Sequence, residues 1–198
     1  MSTRGVYGFR KDGVDKITYN HADSYPDSLG HNILGLCRDL SIKDLNKLYD
    51  LLEMVNEDST PTKKQIKICI ENHYGDFGVN GQLEPDWYYL LRRLQGNFEV
   101  LKIAVEENKH IYMIDSQDFI RDSLFCEYGY IVNLDSEALE FWLGFQREAD
   151  ETNRYGTECD SGYYPCKFVL NIPLNSIDTD SIAEWVKRMN ELAGEDDV

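Results

Sequence analysis

The sequence predicts an α+β fold: an antiparallel sheet from hairpins near residues 2–20 and 128–145 plus a strand near 167–172, covered by several helices. Two runs rich in β-branched and aromatic residues each double back across a turn, the first at Lys11-Asp12-Gly13 and the second at Asp135-Ser136-Glu137-Ala138. Residues 33–107 instead carry apolar side chains at helical spacing, interrupted by capping signals. With 198 residues, 42% of them hydrophobic and 12% aromatic, the chain has enough apolar surface for one well-buried core, so 1–198 reads as a single domain.

In chain order, the opening hairpin delivers the chain into Asn20-His21-Ala22-Asp23-Ser24-Tyr25-Pro26, where amide, imidazole, carboxylate, hydroxyl and phenol crowd together at a strand end. Pro26 cannot donate to a sheet and Gly30 tolerates a positive φ, so pairing stops here. A helix is expected over 33–40. Ser41 followed by Asp44 caps a second, whose Leu45, Leu48, Leu52 and Val55 recur at helical spacing, and Thr62 with Gln65 forms a capping box for a third. The glycine-rich run 74–81 lacks both the lysine ending of a phosphate loop and dinucleotide spacing, and reads as a connector. Pro85-Asp86 opens another helix containing Arg92-Arg93, and 98–107 forms one more.

A short strand over 110–114 follows. Ser123-Leu124-Phe125-Cys126-Glu127 then sets a thiol and a carboxylate side by side at the mouth of the second hairpin. The polar stretch 147–165 is either a mobile lid or a surface excursion, and 195–198 is an acidic tail. Asp178 or Thr179 caps a C-terminal helix that Gly194 stops.

The five cysteines form an odd set with no CxxC pair, the pattern of free thiols in a reducing compartment. Cys159 and Cys166 have no neighbouring His to complete a zinc motif, so no metal and no cofactor is expected. No apolar run is long enough to span a membrane and the start lacks a signal-peptide core, which makes the cytoplasm the expected compartment. A formal net charge of -16 disfavours direct contact with nucleic acid or an anionic membrane and favours a basic protein partner.

Arg4-Gly5-Val6-Tyr7-Gly8-Phe9, Tyr19-Asn20-His21-Ala22-Asp23-Ser24-Tyr25-Pro26 with Leu29-Gly30, Asp86-Trp87-Tyr88 with Leu90-Leu91-Arg92 and Gln95-Gly96, and Asp122-Ser123-Leu124-Phe125-Cys126-Glu127-Tyr128 with Ile131-Val132-Asn133-Leu134-Asp135 together resemble a family of uncharacterised proteins from phages, prophages and some microbial eukaryotes. The resemblance covers roughly residues 3 to 145. Ala22 departs from it, standing where that family more often carries an aromatic residue. The resemblance implies no activity, only an accessory setting.

Two expectations follow. The first is an acidic accessory protein of phage or prophage type that binds a host or defence macromolecule, with Asn20, His21, Asp23, Ser24, Tyr25 and Glu127 as its binding residues. The alternative is an amide hydrolase using Ser2 as nucleophile once Met1 is removed, with Arg4 as anchor, Asn20 as oxyanion donor and Asp23 as partner of the amine. A second catalytic arrangement sets Cys126 as thiol beside His21 as base and Asp23 as orienter.

Overall fold

The computed structural model describes residues 3–75, 86–94 and 96–194. Ser2, most of the glycine-rich run (76–81) and the acidic tail 195–198 lie outside the described residues. The elements run β1 (Gly5–Lys11), β2 (Val14–Asn20), a π-helical turn (Pro26–Gly30), α1 (His31–Asp39), α2 (Ile42–Leu51), β3 (Leu52–Val55), α3 (Lys63–Glu71), α4 (Trp87–Leu90), α5 (Phe98–Glu107) and β4 (Ile111–Ile114). A 3-10 turn (Gln117–Arg121), β5 (Tyr128–Asn133), β6 (Ala138–Leu143), β7 (Lys167–Pro173), a second 3-10 turn (Leu174–Ser176) and α6 (Ser181–Ala193) complete the α+β chain.

The main sheet has five strands in the order β2-β1-β5-β6-β7. Both hairpins are present and antiparallel, and β7 joins β6 antiparallel as well. The seam between the hairpins is parallel, pairing Gly5 with Tyr128 and Arg10 with Asn133, so the sheet is mixed. A parallel pair needs a long crossover, and the chain between these strands carries α1 to α5.

Alternation along the strands divides the core in two. Tyr7 and Phe9 of β1, Tyr128, Tyr130 and Val132 of β5, and Leu139 and Phe141 of β6 join the large core under the helices. Val6, Ile17, Ile131 and Trp142 point the other way into a smaller core with Ile120, Cys126, Tyr155 and Cys166. The stretch 147–165 packs over this second face. Arg154 reaches Glu140 through two bonds, Nη1 to Oε1 at 2.9 Å and Nη2 to Oε2 at 2.5 Å, and Tyr155 donates to Asp15 Oδ2 at 3.3 Å.

The capping signals of α2 and α3 are realised as hydrogen bonds. Asp44 N donates to Ser41 Oγ at 3.2 Å and Thr62 and Gln65 form their reciprocal box; before α6 the residue at the cap is Asp180, which makes no side-chain cap bond, and Asp178 instead accepts from Asp180 N and Ser181 N in the preceding turn. One element departs from its spacing: α2 ends at Leu51, and 52–55 is strand β3, paired in parallel with β4 in a two-stranded sheet. Leu52 and Val55 are buried as expected, but from an extended backbone. The helix opened by Asp86 is also short, a single turn whose Tyr89 N donates to Asp86 Oδ1 at 2.9 Å.

Candidate functional site

Register places the polar stretch. Gly5 pairs with Asn20 on one side and Tyr128 on the other, so the end of β2 and the start of β5 flank the start of β1. Asn20–Tyr25 and Ser123–Glu127 therefore close around Thr3 and Arg4. Asn20 Nδ2 donates to Ala22 O at 2.6 Å and to Ser24 Oγ at 2.8 Å. Ser24 N donates to Thr3 O at 3.3 Å, and the buried Tyr130 hydroxyl donates to Ser24 O at 3.0 Å. Across the strand, Arg4 N donates to Glu127 Oε1 at 3.1 Å while Glu127 N donates to Arg4 O at 3.0 Å.

Gly5 explains why the knot can close this tightly. A Cβ there would lie 2.4 Å from Tyr128 O and 2.9 Å from Ser24 Cβ, closer than side chains tolerate. The groups of this region thus divide by burial. Asn20 and Ser24 are buried and hold the turn, whereas His21, Asp23 and Tyr25 are exposed, Asp23 at the left-handed corner with φ 54°. The Arg4 guanidinium lies 4.6 Å over the exposed ring of Phe125.

Of the residues assigned to an amide hydrolase, Ser2 lies outside the described residues and Asn20 has committed its amide hydrogens to the turn. Arg4 and Asp23 stand at the same end of β1, Asp23 on the surface. Cys126 is fully buried, and burial with the neighbouring Cys166 thiol pushes its own thiol well above the usual range. A protonated, enclosed thiol is a poor nucleophile, while His21 is exposed with Nδ1 3.1 Å from the Tyr19 hydroxyl.

Two concavities lie beside the end of β2. A cavity of about 490 Å³ is lined by Thr18, Tyr19 and His21 from β2 and its exit, Tyr88 and Arg92 from α4 and the turn after it, Ile114 and Ser116 from the end of β4, and Glu57. Arg92 donates to the Tyr88 hydroxyl and stacks 5.0 Å over its ring. Tyr19 packs edge-on against Phe119 at 4.9 Å, and partial burial raises the pKa of its hydroxyl.

A second hollow of about 550 Å³ shares Glu57 and Ser116 with the first and adds Asp58, Asp115, Asp118 and Phe119. Its wall is tied to both sheets, because Asp115 N donates to Val55 O and Ser116 N to Ile17 O, each at 2.9 Å. The two hollows adjoin at Glu57 and Ser116, the first lined by aromatic rings, imidazole and Arg92 and the second mainly by carboxylates. Such a surface accepts hydrogen bonds from ammonium and guanidinium groups and stacks against their stems.

His21 and Tyr19 belong to the stretch conspicuous in the sequence; Tyr88, Glu57 and Ser116 do not, since only tertiary packing brings three separate segments to it. Arg92 stood out as half of an adjacent arginine pair and, with Tyr88, within one motif of the family resemblance. Among the described residues, no three His, Cys, Asp or Glu side chains are arranged to hold a metal ion, and no helix is long and apolar enough to cross a membrane. Comparison of the chain with protein-family models, curated proteins and solved structures finds no match.

Proposed function

We propose that the protein acts by binding a basic macromolecule, most simply a protein surface that ordinarily contacts nucleic acid, through the adjoining hollows between His21 and Asp118. The observation that carries this reading is that two hollows of different chemistry meet at Glu57 and Ser116. Glu57, Asp58, Asp115 and Asp118 line one hollow while Tyr19, His21 and Tyr88 line the other, in a chain of net charge -16. Carboxylates supply attraction at long range and orient the encounter; the aromatic hollow supplies contact area once the partner is seated. The accessory setting implied by the family resemblance fits a protein that works by occupying another protein's surface.

The test is titration of the full chain with a lysine- and arginine-rich peptide as probe. Affinity is expected to fall by at least about tenfold between about 0.05 and 0.3 M salt, as screening shortens the reach of the carboxylates. Glu57→Lys combined with Asp115→Lys is expected to abolish most of the remaining binding, while Lys substitutions at Glu184 and Glu191 on α6, which lines neither hollow, leave it intact. Salt-insensitive affinity, or equal loss from both pairs of substitutions, would overturn the hollows as the binding site.

A further inference from the structure

The smaller core contains two cysteines that belong to different segments and meet only in the fold. Cys126 closes the loop before β5 and Cys166 precedes β7; both are fully buried. β6 lies between those strands, with Leu143 paired to Tyr128 on one side and Lys167 on the other. The residue after β6 is Gly144, which lets the loop carrying Cys126 pack directly against the strand end. A Cβ on it would lie 2.0 Å from Cys126 O. The Cys166 thiol donates to Cys126 O at 3.2 Å, and the Cys126 thiol donates to Tyr128 O at 3.6 Å, so the two side chains share one buried cluster.

The surroundings hold this approach in place. Cys126 N donates to Asp122 O at 2.8 Å, Cys166 N donates to Ile120 O at 3.0 Å, and Asn153 Nδ2 donates to Cys166 O at 2.8 Å. Three segments thus anchor the pair: the 3-10 turn, the loop before β5, and the stretch 147–165. Cys37 and Cys69 sit in the helical core and Cys159 on the surface, so they differ from this pair in location.

We propose that Cys126 and Cys166 are a dithiol that a hydroperoxide converts to a disulfide, a modification site that welds the strand-end loop to the stretch over the second face. One sulfur attacks the peroxide O–O bond, forming a sulfenic acid and releasing one water. The second sulfur displaces the sulfenic oxygen, which leaves as another water. Two thiols and one hydrogen peroxide therefore yield one disulfide and two waters, with the peroxide reduced by two electrons. Burial makes the step slow and dependent on local opening of 147–165, which sets this pair apart from exposed sensor thiols.

The experiment exposes the native full-length protein to hydrogen peroxide, alkylates it under denaturing conditions, and reads intact mass and peptide linkage. Two fewer alkylated cysteines, a linked Cys126–Cys166 peptide, and restoration by a dithiol reductant are expected. Closing a loop of this length is expected to raise the thermal midpoint by about 10 °C. Cys159→Ser should leave the linkage unchanged, and that substitution is on the surface where folding tolerates it. Full alkylation after oxidation, or linkage through Cys159 in place of either buried thiol, overturns the proposal.

Discussion

Asn20 shows how a conspicuous residue can serve the fold rather than chemistry. Its side chain is an amide at a strand end, next to hydroxyl, imidazole and carboxylate, which is also the composition of many active sites. Its two amide hydrogens go to Ala22 O and Ser24 Oγ, however, and its own side chain is buried. Asn20→Ala strands those acceptors, so urea unfolding should show a loss of about 1 to 3 kcal/mol. A change below about 0.5 kcal/mol, the range of ordinary surface substitutions, would show that the turn does not depend on this amide. The sequence marks the polar cluster but not this division of labour, because which neighbours are exposed depends on β5, more than a hundred residues away.

At the scale of elements, the two hairpin turns clasp one another. Asp135, in the turn of the second hairpin, accepts from Asp12 N at 2.7 Å and Gly13 N at 2.9 Å in the turn of the first. Those bonds hold the Asp135 carboxyl below its ordinary pKa. A carboxylate depressed in the folded state stabilises fully above its unfolded value of about 3.9 and loses that contribution as pH falls through the folded value. Asp135→Asn should therefore cost about 1 kcal/mol near neutral pH, with the variant and wild type converging in midpoint as pH drops below about 4. A difference that stayed constant down to acid pH would rule out the charge as its source.

Strand β3 illustrates where periodicity misleads at this scale. Leu45, Leu48, Leu52 and Val55 satisfy helical spacing, yet in the strand Leu52 and Val55 point to opposite faces and both are buried. Lys16 contributes to the outcome: its ammonium bonds Tyr49 O at 2.8 Å and Leu52 O at 2.5 Å, capturing carbonyls at the end of α2. Pairing with β4, which is remote in sequence, takes up the rest. The hairpins, by contrast, are local events written in turn residues, and both form where the sequence places them.

For the molecule as a whole, the sheet is covered on both faces by different means. Helices cover one; on the other, the stretch 147–165 spreads from Arg154, whose guanidinium lies 4.6 Å over Trp142 and 4.9 Å over Tyr155 while binding Glu140. Glu140 is buried and also accepts from Asn133 Nδ2 at 2.7 Å and Trp142 Nε1 at 3.1 Å. Removing the carboxylate leaves the arginine and both donors without it, so Glu140→Ala should destabilise by about 3 to 5 kcal/mol. A double-mutant cycle with Arg154→Ala should report a coupling of about 1 to 3 kcal/mol. Additive losses would mean that the stretch is held by packing alone.

The sequence by itself determined the α+β class, both hairpins and their turns, the caps of α2 and α3, and the stop of α6 at Gly194, because each depends on residues within a few positions of one another. It also marked the end of β2 as chemically dense. Tertiary structure alone decided the parallel seam between β1 and β5, the change of 52–55 from helix to strand, the joining of His21 to Tyr88, Arg92 and Glu57 around one hollow, and the meeting of Cys126 with Cys166 in the smaller core. Each of these is a contact between distant segments, set by shared burial and register rather than by local preference, so no short window of sequence contains it.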